Sequence, residues 1–175
     1  DTGWGDELLL SMVMTILVST SSLAFGLIIG TIFASFKLSN SYILKAIAEF
    51  YTTVVRGVPE LLVIYLLFFG GSGAVMYVAK IFGHMGYIEL SPFTIGTIAV
   101  GAISGAYSTE VIRGAILAVP KGQFEAAQTL GMAKYAMSFK VIFPQVARLA
   151  LPGIGNVWQA VSYTHLRAHE TRIHR

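Results

Sequence analysis

From Leu8 to Phe36 the chain runs for 29 residues without a charge, between Asp6 and Glu7 on one side and Lys37 on the other. At about 1.5 Å per residue such a helix exceeds the ~30 Å hydrocarbon layer, so it predicts a first span over 8–36 that tilts or ends in the interface. Within it Gly26 and Gly30 form a G-x-x-x-G pair, a pattern that lets a second helix approach closely. Ser41 to Val55 mixes Lys45 and Glu49 with aliphatic and aromatic residues and predicts an amphipathic segment at the membrane surface. Pro59 then suits the first turn of a second span, which continues through LLVIYLLFFG to about Val78. Pro92 opens and Pro120 closes a third, over 93–119. A fourth begins at Ala147 and keeps its apolar character only to Ala160, short of the about 20 residues a crossing needs. The expectation is an all-α polytopic membrane protein, truncated, that continues beyond this fragment.

Lysine and arginine set the orientation, because basic loops stay on the cytoplasmic side. Lys37, Lys45 and Arg56 separate the first two spans, and Lys121, Lys134, Lys140 and Arg148 separate the third and fourth, so both loops are expected in the cytoplasm. The loop 79–91, with Lys80 and Glu89, and the acidic start Asp1, Asp6 and Glu7 then face outward.

Composition agrees: 55% of the 175 residues are hydrophobic and 12% charged, with a mean hydropathy of +0.70, which excludes an ordinary water-soluble domain. Length allows one domain. No cysteine means no disulfide framework, thiolate metal site or cysteine nucleophile. Asp1 stands where a starting methionine would, so the natural start is expected upstream, and no signal peptide with a cleavage site is read. Val161 to Arg175 breaks the pattern, with His165, His169, His174 and three arginines. VSYTHLRAHET resembles one reading-frame translation of a sequencing-library adapter, so 161–175 is set apart as non-native, against the alternatives of a natural basic tail or a metal site. The spacing H-E-x-x-x-H is one residue too long to place both imidazoles on one helix face, so no metal or cofactor is expected. Without that tail the net charge falls from +3 to +1, counting 9 basic and 8 acidic residues, and the high pI carries no message about nucleic acid.

Between the third and fourth spans, over 121–144, lies KGQFEAAQTLGMAKYAMSFKVIFP. An alanine-rich helix stopped by a glycine that tolerates a left-handed turn would present a compact knob to the cytoplasm. The segment resembles the EAA loop of binding-protein-dependent ABC importer permeases. Glu125, Ala126, Ala127, Gly131 and Pro144 stand at that motif's spacing, and Val141 and Phe143 replace its isoleucine and leucine conservatively. YTTVVRGVPELL, GAYSTEVIRGAILAVPKG and ALPGIGNVWQ extend the resemblance to the polar amino acid branch, nearest the Q-type subunit of importers for histidine, lysine, arginine, ornithine and opines. The resemblance implies a type I permease fold over 1–160 and an inner-membrane location. It also implies an M-type sibling, two ATPase copies, a periplasmic or lipid-anchored solute-binding protein and an amino acid solute. The EAA residues would then receive the ATPase stroke. No G-x-x-x-x-G-K-[ST] phosphate loop occurs, so the chain is expected not to be an enzyme, with hydrolysis left to the partner.

Glu110 falls inside the third span, three residues before Arg113, where an ionisable group is costly unless paired or wet. It either makes a helix-surface pair with Arg113 or lines the path and attracts the cationic end of a basic amino acid. Glu60 is a second, weaker path candidate, since an acid also suits a helix N-terminus. Arg56 is expected as a cytoplasmic anchor and His84 as a solvated loop residue; the hydroxyls of Tyr107, Ser108 and Thr109 either bond a polar solute or, as is common in membrane helices, nearby backbone carbonyls. Two rivals are an ATPase-independent secondary transporter using Glu110 and Arg113, which gives the spaced cytoplasmic motif no role, and an intramembrane enzyme, for which no nucleophile and base set is present.

Overall fold

The computed structural model describes residues 4–81 and 92–170. The loop expectation for 82–91, including His84 and Glu89, and the last five residues with His174 lie outside them. Among the described residues every element is helical: α1 (Trp4–Leu38), α2 (Tyr42–Gly57), α3 (Glu60–Ile81), α4 (Pro92–Ala118), α5 (Lys121–Thr129), α6 (Lys134–Met137), a wide π turn (Ser138–Ile142) and α7 (Phe143–Glu170). In hydrocarbon each backbone N–H and C=O needs a protein partner, and a helix supplies it within its own segment. Leu8–Leu38 and Phe93–Ala118 are long and apolar enough to cross a membrane. α7 runs on to Glu170, through the start of the segment set apart as an adapter, because nothing between Ala160 and Glu170 breaks a helix.

α4 is the central helix and touches α1, α2, α3 and α7. Its longest seam is with α1, and small residues make it. A Cβ on Gly26 would stand 1.9 Å from Ser104 Oγ and 3.0 Å from the Gly101 carbonyl oxygen, and one on Gly30 would stand 2.7 Å from Ser108 Cβ. The approach that G-x-x-x-G predicts is therefore made onto α4. Because Gly26 meets Ser104 and Gly30 meets Ser108, residue numbers climb together along both helices and they run parallel, as the alternating orientation requires. Leu8, Leu9, Leu10, Met12 and Ile28 of α1 are exposed, as suits a surface solvated by lipid.

α2 carries three stripes. Ala48 and Thr52 are buried, Glu49 and Arg56 flank a polar cavity, and Ile43, Ile47, Phe50 and Val54 point away from the protein. Pro59 ends it: a residue before proline is driven to extended backbone, and Val58 has φ −102° and ψ 140°. The Pro59 carbonyl then accepts the Leu62 and Val63 N–H groups and starts α3. The axes of α2 and the first part of α3 meet at 109°.

Candidate functional site

The knob between α4 and α7 is built from α5, α6 and the π turn. α5 closes on Gly131, which has φ +68°, the one described residue at positive φ. Gly131 N–H donates to the Gln128 carbonyl at 2.9 Å and Met132 N–H donates to the Ala127 carbonyl at 3.1 Å. This is the paired 5→2 and 6→1 bonding of a Schellman cap, and it requires a left-handed residue where Gly131 stands. The cap turns the chain so that Met132 packs onto a small core of Val119, Ala127, Met137 and Ile142, with Phe124, Val141 and Val146 around it. Ala127 is 4% exposed at the centre of this core, whereas Glu125 and Ala126 lie on the outer surface. Val141 is half-buried, and Phe143 and Pro144 are exposed at the start of α7. Of the five motif residues, then, Ala127 and Gly131 build the knob while Glu125, Ala126 and Pro144 stand on its surface.

Glu110 sits where α1, α2 and α4 meet. Lys37 Nζ donates to Glu110 Oε1, and Arg113 donates to Glu110 Oε2 through Nη2 at 2.9 Å and Nε at 3.0 Å. Lys37 also pairs with Glu49 of α2 at 3.0 Å. The Lys37 side chain is only 6% exposed, so one ammonium ties the end of α1 to both neighbours. The pair with Arg113 is the local one that the sequence suggests; the pair with Lys37 spans 73 positions.

Two cavities flank this cluster. One, of about 290 Å³, lies between the α2–α3 corner, α4 and α7, with Ile64, Val100, Ile103, Val111 and Val157 as apolar wall and Arg56, Glu60, Tyr107, Glu110 and Asn156 as polar wall. The other, of about 430 Å³, is lined by Lys37, Glu49, Thr52, Thr53, Arg56, Gly57, Tyr107, Glu110 and Arg113. Glu60 and Glu110, 50 positions apart in sequence, thus share the first cavity. Arg56, expected as a cytoplasmic anchor, lines both cavities, with its guanidinium carbon 5.4 Å from the centre of the Tyr107 ring. Thr109 Oγ1 donates to the Gly105 carbonyl at 2.7 Å, as hydroxyls in membrane helices do, while Ser108 Oγ is buried without a partner. Among the described residues no group of acids and histidines is arranged to hold a metal ion.

Comparison with known proteins agrees with this architecture. Residues 26–162 match the family model described as binding-protein-dependent transport system inner membrane component. The nopaline transport system permease protein NocQ of Agrobacterium fabrum is 52% identical over 160 residues, covering 91% of this chain and 68% of that protein. The histidine/lysine/arginine/ornithine transport system permease protein HisQ of Escherichia coli K12 is 41% identical over 159 residues, covering 91% and 69%. A solved structure described as an amino acid ABC transporter with histidines superposes with a TM-score of 0.71 at 30% identity, covering 91% of this chain and 69% of its own. The chain therefore belongs to the family of binding-protein-dependent transport system inner membrane components, as a Q-type ABC permease subunit of the inner membrane and not an enzyme.

Proposed function

We propose that this subunit, over residues 1–160, forms half of the translocation path of an importer for basic amino acids or opines. A second, M-type permease forms the other half, a solute-binding protein delivers the solute from outside, and ATPase subunits bind the cytoplasmic knob. The observation that carries the solute class is the first cavity, where Glu60 and Glu110 offer carboxylates to a cationic side chain beside the polar groups of Arg56, Tyr107 and Asn156. The relatives named for nopaline and for histidine, lysine, arginine and ornithine support the same class. Lys37 and Arg113 already neutralise Glu110, so a solute cation would compete with them for it. Coupling is assigned to Glu125, Ala126, Ala127, Gly131 and Pro144, because the capped α5 is a rigid projection on the side of the basic loops. Residues 161–175 are assigned to a translated adapter.

The test is reconstitution of the full-length subunit with the permease, ATPase and binding protein encoded beside it. ATP hydrolysis stimulated by loaded binding protein, with uptake of arginine preferred over citrulline and the preference reduced in Glu110→Gln, is the expected result. Proton-driven uptake without any ATPase would overturn the importer reading, and an unchanged preference in Glu110→Gln would remove that residue from selectivity.

A further inference from the structure

Arg56, Tyr107 and Glu110 line both cavities, so they stand at the boundary between the mostly apolar chamber and the polar one. At that boundary the two charged groups differ in how they are held. The Glu110 carboxylate is engaged on one oxygen by Lys37 and on the other by Arg113. Arg56 instead rests against an aromatic ring, with Cζ 5.4 Å from the Tyr107 centroid. A ring steadies a guanidinium through its quadrupole and leaves the N–H fork open to a planar anion, which a carboxylate matches with two parallel bonds. Across the 109° corner, Arg56 in the last turn of α2 and Glu60 at the start of α3 line the same chamber.

We propose that Arg56 is a carboxylate-binding residue at this boundary, positioned by Tyr107. An amino acid or opine crossing between the chambers presents its carboxylate to Arg56 while its cationic end lies toward Glu60 or Glu110. This rests on the solute class proposed above and adds the anionic end of that solute to it. It also requires arginine at this position rather than any cation, since a lysine ammonium is a point charge without the fork.

Binding of radiolabelled arginine to the full-length permease complex in lipid nanodiscs, without binding protein, tests the assignment by competition. Agmatine lacks the carboxylate and citrulline lacks the side-chain charge. In the unmutated complex agmatine is expected to compete at least about tenfold less well than arginine, the loss of a charge-assisted bond pair. Arg56→Gln is expected to lower arginine affinity to that of agmatine while agmatine binding is kept, and Arg56→Lys to fall between. Tyr107→Phe should preserve the discrimination and Tyr107→Leu should weaken it. Equal competition by agmatine and arginine in the unmutated complex overturns the assignment, as does discrimination surviving in Arg56→Gln. A loss of arginine and agmatine binding together in Arg56→Gln overturns it too, since that marks a structural role. Equal competition by citrulline and arginine would instead end the basic-solute reading and leave the role of Arg56 in place.

Discussion

Replacing Gly131 tests whether the knob is held by backbone geometry or by space. A Cβ added there meets no atom within 4 Å, so no steric penalty accompanies the substitution. What remains is φ +68°, which costs an L-residue roughly 1–2 kcal/mol relative to glycine, less for asparagine and more for a β-branched side chain. If that cost falls on the cap alone, the last turn of α5 opens about 5- to 30-fold more often in Gly131→Ala. Hydrogen exchange of peptides covering 121–132 in the full-length subunit reads this directly, because the Met132 and Gly131 amides are cap donors to Ala127 and Gln128. The expected order of exchange is glycine slowest, then asparagine, alanine and valine. Coupled ATPase activity should decline in the same order while the membrane helices keep their protection. Wild-type exchange in Gly131→Val would refute the cap argument. So would an order that follows side-chain volume, with asparagine and valine alike.

Gly26→Val should separate α1 from α4, since even the first added carbon would lie 1.9 Å from Ser104 Oγ and 3.0 Å from two backbone atoms; a loss of about 1–3 kcal/mol, read as a lowered melting temperature in detergent, is expected, and an unchanged one would contradict the seam. Lys37→Met should destabilise by about 1–3 kcal/mol, because it strips one of the two cations that hold Glu110 and leaves Arg113 as the other. Lys37→Met combined with Glu110→Gln should recover about 1–3 kcal/mol of the summed loss, and strict additivity in that cycle would show that the pair does not couple.

Much of the scaffold is legible because its signals are local. Uncharged length marks α1 and α4, Pro59 and Pro92 mark helix starts, and the glycine after an alanine-rich turn marks the cap. G-x-x-x-G announces a close neighbour without naming it, since Ser104 and Ser108 are ordinary until the parallel register of α1 and α4 places them opposite. The same holds for Glu110. Arg113 lies one helical turn away and can be read from spacing, whereas Lys37 reaches Glu110 only through packing of distant segments. Arg56 shows another limit: charge counting assigns a basic residue to its loop, and only the packing of α2 against α4 shows its guanidinium beside the Tyr107 ring. The stretch from Lys134 to Ile142 is too short to announce a four-residue helix followed by a π turn.

That π turn bears on how the spacing from Gly131 to Pro144 is counted. A π turn closes its hydrogen bonds one residue later than an α turn, so it absorbs one residue without lengthening the helix by a full step. Between Gly131 and Pro144 the chain therefore carries a slack residue, held in Ser138–Ile142. In this chain the extra residue sets a phase: Ile142 faces the knob while Pro144 still enters the first turn of α7. A single-residue deletion inside this turn would let it relax to α geometry with both flanking faces nearly in place. The same deletion in α4 between Gly105 and Glu110 would swing the carboxylate away from Lys37 by about a quarter turn.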